Sequence, residues 1–204
     1  MCGRFTLTNP KDVADLFDVD AGLGEDAPDL FARYNIAPSQ PVLAVFEDRD
    51  AGARRLTHFQ WGLVPFWAKD PTIGNRMINA RSETADTKPA FKAAMKYRRC
   101  LIPADGFFEW KKTDDGKQPF RITMADGDLF ALAGLWEHWQ DENGTELETC
   151  TILTTEPNAM MAKIHNRMPA ILDRDDWDRW LDATVEDPAR VAPLLEPYPA
   201  ELMD

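Results

Sequence analysis

An α+β fold, with a mostly antiparallel, barrel-like sheet and flanking helices, is what the sequence predicts, on three observations. Strand-like runs dominate the middle of the chain. Helical patterns occur only at intervals and never alternate with strands in the strict order that a parallel sheet requires. Turn signals (DDGK, ADGD and DENGT) separate the strand candidates. At 204 residues the chain can bury one sizeable core and is marginal for two. One domain over residues 1–204 is therefore expected, with no linker.

Taken in order, NPKDVADLFD reads as a short helix, with Asn9 as N-cap and Pro10 at the first helical position. DVDAGLGEDAPDLFAR is rich in Gly, Pro and acid and reads as a loop. PVLAVFED and ARRLTHFQWGLV are strands with small and charged residues between them. KPAFKAAMKY is helical, with Phe91, Ala94 and Met95 on one face. RCLIPADGFFEWKK, QPFRITMA, LFALAGLWEHW and ETCTILTTE follow as strands. RDDWDRWLD closes the series as a helix that stacks Trp177, Trp180 and Leu181 on one face. There is no internal repeat and no low-complexity tract.

Composition excludes several classes. No stretch reaches the ~18 apolar residues of a membrane span. The N-terminus lacks the charged and apolar regions of a signal peptide. Three cysteines are too few for a secreted disulfide framework, which points to a reducing, cytoplasmic setting. No CxxC pair occurs, and His58, His138 and His165 do not cluster with cysteines, so no metal site is expected. The net charge of −12 argues against nucleic acid when taken alone. The charge is uneven, however. Residues 88–99 hold five bases and no acid, whereas residues 173–204 hold ten acids against three arginines. An acidic exterior is compatible with one basic face.

The chain opens MCGRF. Aminopeptidases remove Met before a small residue, which would leave Cys2 with a thiol and an α-amine on adjacent carbons. That amine has an ordinary pKa of about 7.7–8.0 and is partly neutral near pH 7. A neutral amine forms Schiff bases with carbonyls, and the thiol can then close on the imine carbon to give a thiazolidine. The same amine can instead act as base for its own thiol in hydrolysis. The remaining alternative is an incidental cysteine on a frayed terminus. Gly3 permits close backbone approach, and Arg4 suits a phosphate.

Four further stretches carry candidates. In ADGFFEWKK, strand alternation puts Phe107 and Glu109 on one face and Phe108 and Trp110 on the other. Glu109 is then either a carboxylate held among aromatics, the setting of a general acid or base, or an outward residue paired with Lys111 or Lys112. In KIHNRMPAIL, His165 alternates with Arg167 and is either a proton-transfer group or a hydrogen-bonded structural residue. In INARSET, Asn79 and Arg81 share a face and suit a ligand oxygen or phosphate. In WGLVPFW the aromatics form a stacking platform for unpaired bases if exposed, and core if buried.

The ordered set MCGRF, RYNIAPSQ, WGLVPFW, INARSET, ADGFFEWKK and IHNRMPAIL, spanning residues 1 to about 172, resembles the SRAP (SOS-response-associated peptidase) family. This resemblance implies a twisted, barrel-like sheet. It implies binding of single-stranded DNA containing abasic sites, and a covalent thiazolidine DNA–protein crosslink through Cys2 after removal of Met1. The crosslink would shield the lesion in the DNA damage response. It also implies catalytic roles for Cys2, Asn79, Glu109 and His165, and DNA contacts from Arg4, Pro38, Trp67 and Arg81. No cofactor, metal or membrane is called for. A monomer, associated with the nucleoid when bound to DNA, is expected. The acidic helical tail, residues 173–204, receives no role. The rival from another class is an N-terminal-nucleophile amidohydrolase or peptidase using Cys2.

Overall fold

The structure is a computed structural model, described for residues 2–19 and 30–204; most of the expected loop at 18–33 lies outside them. The chain runs through β1 (Phe5–Leu7), a 3-10 turn (Pro10–Asp12), α1 (Val13–Leu16), β2 (Arg33–Ile36), β3 (Pro41–Asp48) and β4 (Ala53–Trp61). After a 3-10 segment (Pro71–Arg76) come β5 (Asn79–Arg81), α2 (Ser82–Ala85), α3 (Lys92–Tyr97), β6 (Arg99–Ala104), β7 (Gly106–Thr113) and β8 (Gly116–Ile122). β9 (Phe130–Gln140), β10 (Glu146–Thr155), β11 (Met168–Pro169), β12 (Ile171–Leu172) and α4 (Trp177–Leu181) complete it.

Five strands close on themselves. β10 pairs with β4, β4 with β3, β3 with β6, β6 with β9, and β9 again with β10. The β10–β4 pairing is parallel (Thr149 opposite Gln60) and the rest of the ring is antiparallel. The barrel is therefore mixed, and α+β describes the whole. Short β5 adds in parallel to the far end of β10. A second, antiparallel sheet has the order β2–β1–β7–β8.

The run RCLIPADGFFEWKK, which reads as one strand, is split at Asp105 between these two sheets. Its first half, β6, is buried throughout as a barrel strand; its second, β7, becomes amphipathic. Asp105 is drawn out of the strand by β1. Its carboxylate accepts from the Thr6 hydroxyl (2.5 Å), the Thr8 hydroxyl (2.6 Å) and the Thr8 backbone N–H, and Arg121 pairs with it at 3.3 Å.

The helices are shorter than the patterns suggest. NPKDVADLFD yields a 3-10 turn with Pro10 at its start, followed by a single α turn. α4 buries Trp177, Trp180 and Leu181 as expected, and Trp177 stacks on Phe17 with ring centroids 4.1 Å apart. Buried Arg99 ties α3 to α4. Its guanidinium donates to the carbonyls of Met95 (3.0 Å), Lys96 (3.2 Å), Trp180 (2.6 Å) and Asp182 (2.6 Å). A cation at two helix C-termini satisfies carbonyls that lack intrahelical donors. β8 is the outer strand of the small sheet, exposed at every residue but Ile122, and it carries Pro119 opposite Trp110. Among the described residues no helix is long and apolar enough to cross a membrane.

Candidate active site and nucleic-acid interface

The first residues of the chain are tied down. Backbone bonds run from Phe108 N–H to the Arg4 carbonyl (2.9 Å) and from Asp105 N–H to the Thr6 carbonyl (2.9 Å), and β1 is sandwiched between β2 and β7. Cys2 is consequently 0% exposed, within the main hydrophobic cluster, so the frayed-terminus alternative does not hold. Its carbonyl accepts from Asn79 Nδ2 at 2.8 Å, and its thiol makes a weak contact with the Arg4 carbonyl at 3.9 Å. Asn79 Oδ1 is buried and accepts no hydrogen bond among the described residues.

Glu109 lies on β7, 2% exposed, beside fully buried Phe107. Alternation thus placed it correctly, and the outward pairing with Lys111 or Lys112 is excluded by burial. Its charge reaches Cys2. Burial first, and the Glu109 carboxylate second, push the Cys2 thiol up to about 12. Both effects disfavour a thiolate in the resting protein.

His165 arrives by another route. A 3-10 turn (Met161–Lys163) ends with His165 N–H donating to the Met161 carbonyl (2.8 Å), and His165 Nδ1 then accepts from Arg167 N–H (3.1 Å). The same Nδ1 lies 3.1 Å from the Arg167 carbonyl oxygen, to which it donates in the other tautomer, so Arg167 backbone groups orient the ring in either form. Arg167 locks this loop. It grips Glu83 in bidentate fashion (2.5 and 2.9 Å) and donates to the Thr154 carbonyl (2.5 Å). Thr154 pairs with Arg81 of β5, the strand that carries Asn79, so the His165 loop and Asn79 meet around the end of β10. Arg167 and Asp105 are positioning residues that the sequence reading did not single out. Arg167 lies two places after His165, in the same motif.

Of the four candidate DNA-contacting residues, Trp67 and Arg81 are exposed and Arg4 and Pro38 half-buried. Arg4 donates to Asn35 Oδ1 at 3.1 Å. Pro38 sits in the turn between β2 and β3. The next residue, Ser39 (φ 67°), donates its N–H to the Trp61 carbonyl (2.8 Å) and its hydroxyl to Asn75 (3.1 Å), fastening this turn to the Trp61–Trp67 stretch. WGLVPFW divides: Trp61 is core, whereas Phe66 and Trp67 are 59% and 49% exposed. The division depends on a close backbone crossing. Gly62 has φ +136°, and a Cβ there would lie 2.7 Å from the Gly74 carbonyl oxygen, so only glycine fits. Trp139 Nε1 holds the far end of the stretch by donating to the Ala68 carbonyl (2.6 Å). Among the described residues no group of three His, Cys, Asp or Glu side chains can hold a metal ion.

Comparison with known proteins gives a consistent picture. The family model for SOS response associated peptidase (SRAP) matches residues 1–204. The abasic site processing protein YoqW of Bacillus subtilis is 45% identical over 206 residues, which cover 100% of this chain and 90% of that one. YoaM of the same organism is 48% identical over 208 residues (100% and 89%), and YedK of Escherichia coli 36% identical over 188 (89% and 79%). A crystal structure of a Bacteroides thetaiotaomicron protein superposes with a TM-score of 0.89 at 28% identity, covering 100% of this chain and 90% of that chain. With its six motifs in order and the family model matched end to end, the chain belongs to the SOS response associated peptidase family.

Proposed function

We propose that this protein recognises abasic sites in single-stranded DNA and joins them to itself through Cys2 once Met1 has been removed, shielding the lesion. The observation that carries this reading is the seat of Cys2: buried, held through its own carbonyl by Asn79, and within the field of Glu109. The names of the relatives, abasic site processing proteins, supply the substrate class.

In this mechanism the closed hemiacetal opens as Glu109, a carboxylate, takes the proton of the sugar's C1 hydroxyl and His165 gives one to the ring oxygen. The Cys2 amine adds to the freed aldehyde, and the unpartnered Asn79 Oδ1 accepts one of its N–H groups. Glu109 returns that proton to the carbinolamine hydroxyl, water leaves, and a protonated imine that still carries one N–H remains. Glu109, again a carboxylate, takes the thiol proton as the sulfur attacks the imine carbon. That proton passes to His165, replacing the one it gave at ring opening, while the ring nitrogen keeps the hydrogen it already carries. One C–N and one C–S bond form, the C=O bond is consumed, and one water is released. The neutral thiol of the resting state is compatible with this order, because the thiol is needed only after the imine exists. Arg4, Arg81, Pro38 and Trp67 would guide the strand, with Trp67 stacking only on unpaired bases.

Intact mass after incubation with an abasic single-stranded oligonucleotide tests the reading. The expected product is the protein without Met1 plus the oligonucleotide, less one water. A product that retains Met1, or a protein that leaves the DNA unmodified while hydrolysing amides through Cys2, sinks it.

A further inference from the structure

Beside Glu109 and His165 lies a recess that none of these roles uses. It has a volume of about 310 Å³, and its floor is apolar: Phe120, Ile122, Met160 and Ile164. Its position follows from register. Phe120 stands directly opposite Glu109 on the β7–β8 hairpin, so the two side chains share a face. That face passes from sealed at Glu109 (2% exposed) to open at Phe120 (40%). On the other side Ile164 immediately precedes His165. Neither Glu109 nor His165 lines the recess, but each is one step away, by cross-strand pairing with Phe120 and by sequence next to Ile164.

Its rim carries charge. Lys111 lies two residues beyond Glu109 on the same face, and Lys163 lies two residues before His165. Among the described residues neither lysine enters an ion pair, whereas Arg121, also at the rim, is committed to Asp105. Asp204 is the one acid at the recess. The recess thus sets two cations that enter no described ion pair beside a partly exposed aromatic ring. Apolar area, a flat ring and paired cations together match a nucleotide: base against ring, phosphates beside ammonium groups.

We propose that this recess is a subsite for one intact, unpaired nucleotide flanking the abasic sugar, with its base on Phe120 and its phosphates beside Lys111 and Lys163. The Asp204 carboxylate then faces the base edge as an acceptor for an exocyclic amino group. The proposal rests on the reading of this protein as an abasic-site binder. It places one flank of the strand along the β7–β8 hairpin, in a recess that Trp67 does not line.

Two measurements on the full chain test it with undamaged single-stranded oligonucleotides, so neither depends on Cys2 reacting. In the first, affinity is titrated against salt. Lys111→Gln/Lys163→Gln should flatten the slope of log K against log salt by about 1.4, the share of two phosphates on a single strand. Phe120→Ala should weaken binding roughly ten-fold at fixed salt, and Phe120→Tyr should keep the affinity, since stacking and not mere bulk is at stake. In the second, 5-iodouracil replaces single bases along the strand, and irradiation should join one of them to the peptide that contains Phe120. An unchanged salt slope in the double variant, or photoproducts confined to the peptide that contains Trp67, would overturn the subsite. Absence of any covalent product with abasic DNA, while slope and photoproduct behave as expected, would defeat the Cys2 reading and leave the subsite standing.

Discussion

At Cys2, burial and a neighbouring carboxylate act in the same direction: they keep the thiol protonated at any ordinary pH. The resting nucleophile is then the amine, with its ordinary range of about 7.7–8.0. The crosslinking rate should rise with pH through that range and level off. Continued tenfold gains per pH unit toward 12 in a pH–rate series would mean that a thiolate attacks first. Glu109→Gln separates the carboxylate's two effects. It removes a proton-transfer group, which should slow crosslinking by ~10²–10⁴-fold. It also removes the charge that raises the thiol, so the thiol pKa should fall, as read by the pH dependence of alkylation under conditions that open the site. A variant with wild-type crosslinking rate would reduce Glu109 to a buried structural residue. Alternation alone placed Glu109 on the correct face, because a period of two survives in any strand. Burial of Cys2 was not legible, because nothing in the letters MC says which part of the fold closes over them.

At the scale of elements, the seam between the two sheets is held by Asp105. Burial, the strongest single influence on its carboxyl, would raise the pKa, but the bonds from Thr6 and Thr8 and the charge of Arg121 together hold it below the usual carboxylate value. A group depressed in this way stabilises the fold fully above its unfolded pKa of about 3.9, and the contribution is lost as pH falls through the lower folded value. Asp105→Asn should remove it at neutral pH. An amide cannot accept from Thr6, Thr8 and Arg121 together, and one unsatisfied buried partner costs about 1–3 kcal/mol. Denaturant midpoints of the two proteins should differ at pH 7 and converge toward pH 3. A constant difference across that range would assign the effect to packing instead. Because β1 carries the Cys2 segment, the variant should also crosslink more slowly than wild type while binding undamaged strand equally well. The strands themselves were largely legible: PVLAVFED is β3 to the residue, since hydrophobic runs bounded by turn residues are local signals. The break at Asp105 was not. RCLIPADGFFEWKK is β-forming throughout, and the partners that divide it lie 97 and 99 residues away.

Over the whole molecule, closure of the barrel was the least legible feature. Turn signals report hairpins between neighbours in sequence, whereas the ring is completed by β10 meeting β4 in parallel, with Thr149 opposite the distant Gln60. That closure has a counterpart at the rim of the small sheet. A closed ring offers no border for another chain to join, but β8 does, and it is nearly bare on both faces. Its sequence GKQPFRI answers this in two ways. Pro119 has no N–H to offer a foreign strand, and Lys117 and Arg121 bring like charge to any second copy that approaches. Just past its end, Met203 and Asp204 cover the backbone at Thr123 and Met124. Pro119→Val together with Lys117→Val should therefore leave the monomer fold intact yet allow copies to zip edge to edge, visible as concentration-dependent dimers in sedimentation. Since Phe120 sits on that same strand, such zipping would compete with nucleic acid, and added single-stranded DNA should dissolve the dimers. The small sheet's open side thus stays free of its own kind by local chemistry, which keeps it available for a strand of a different polymer.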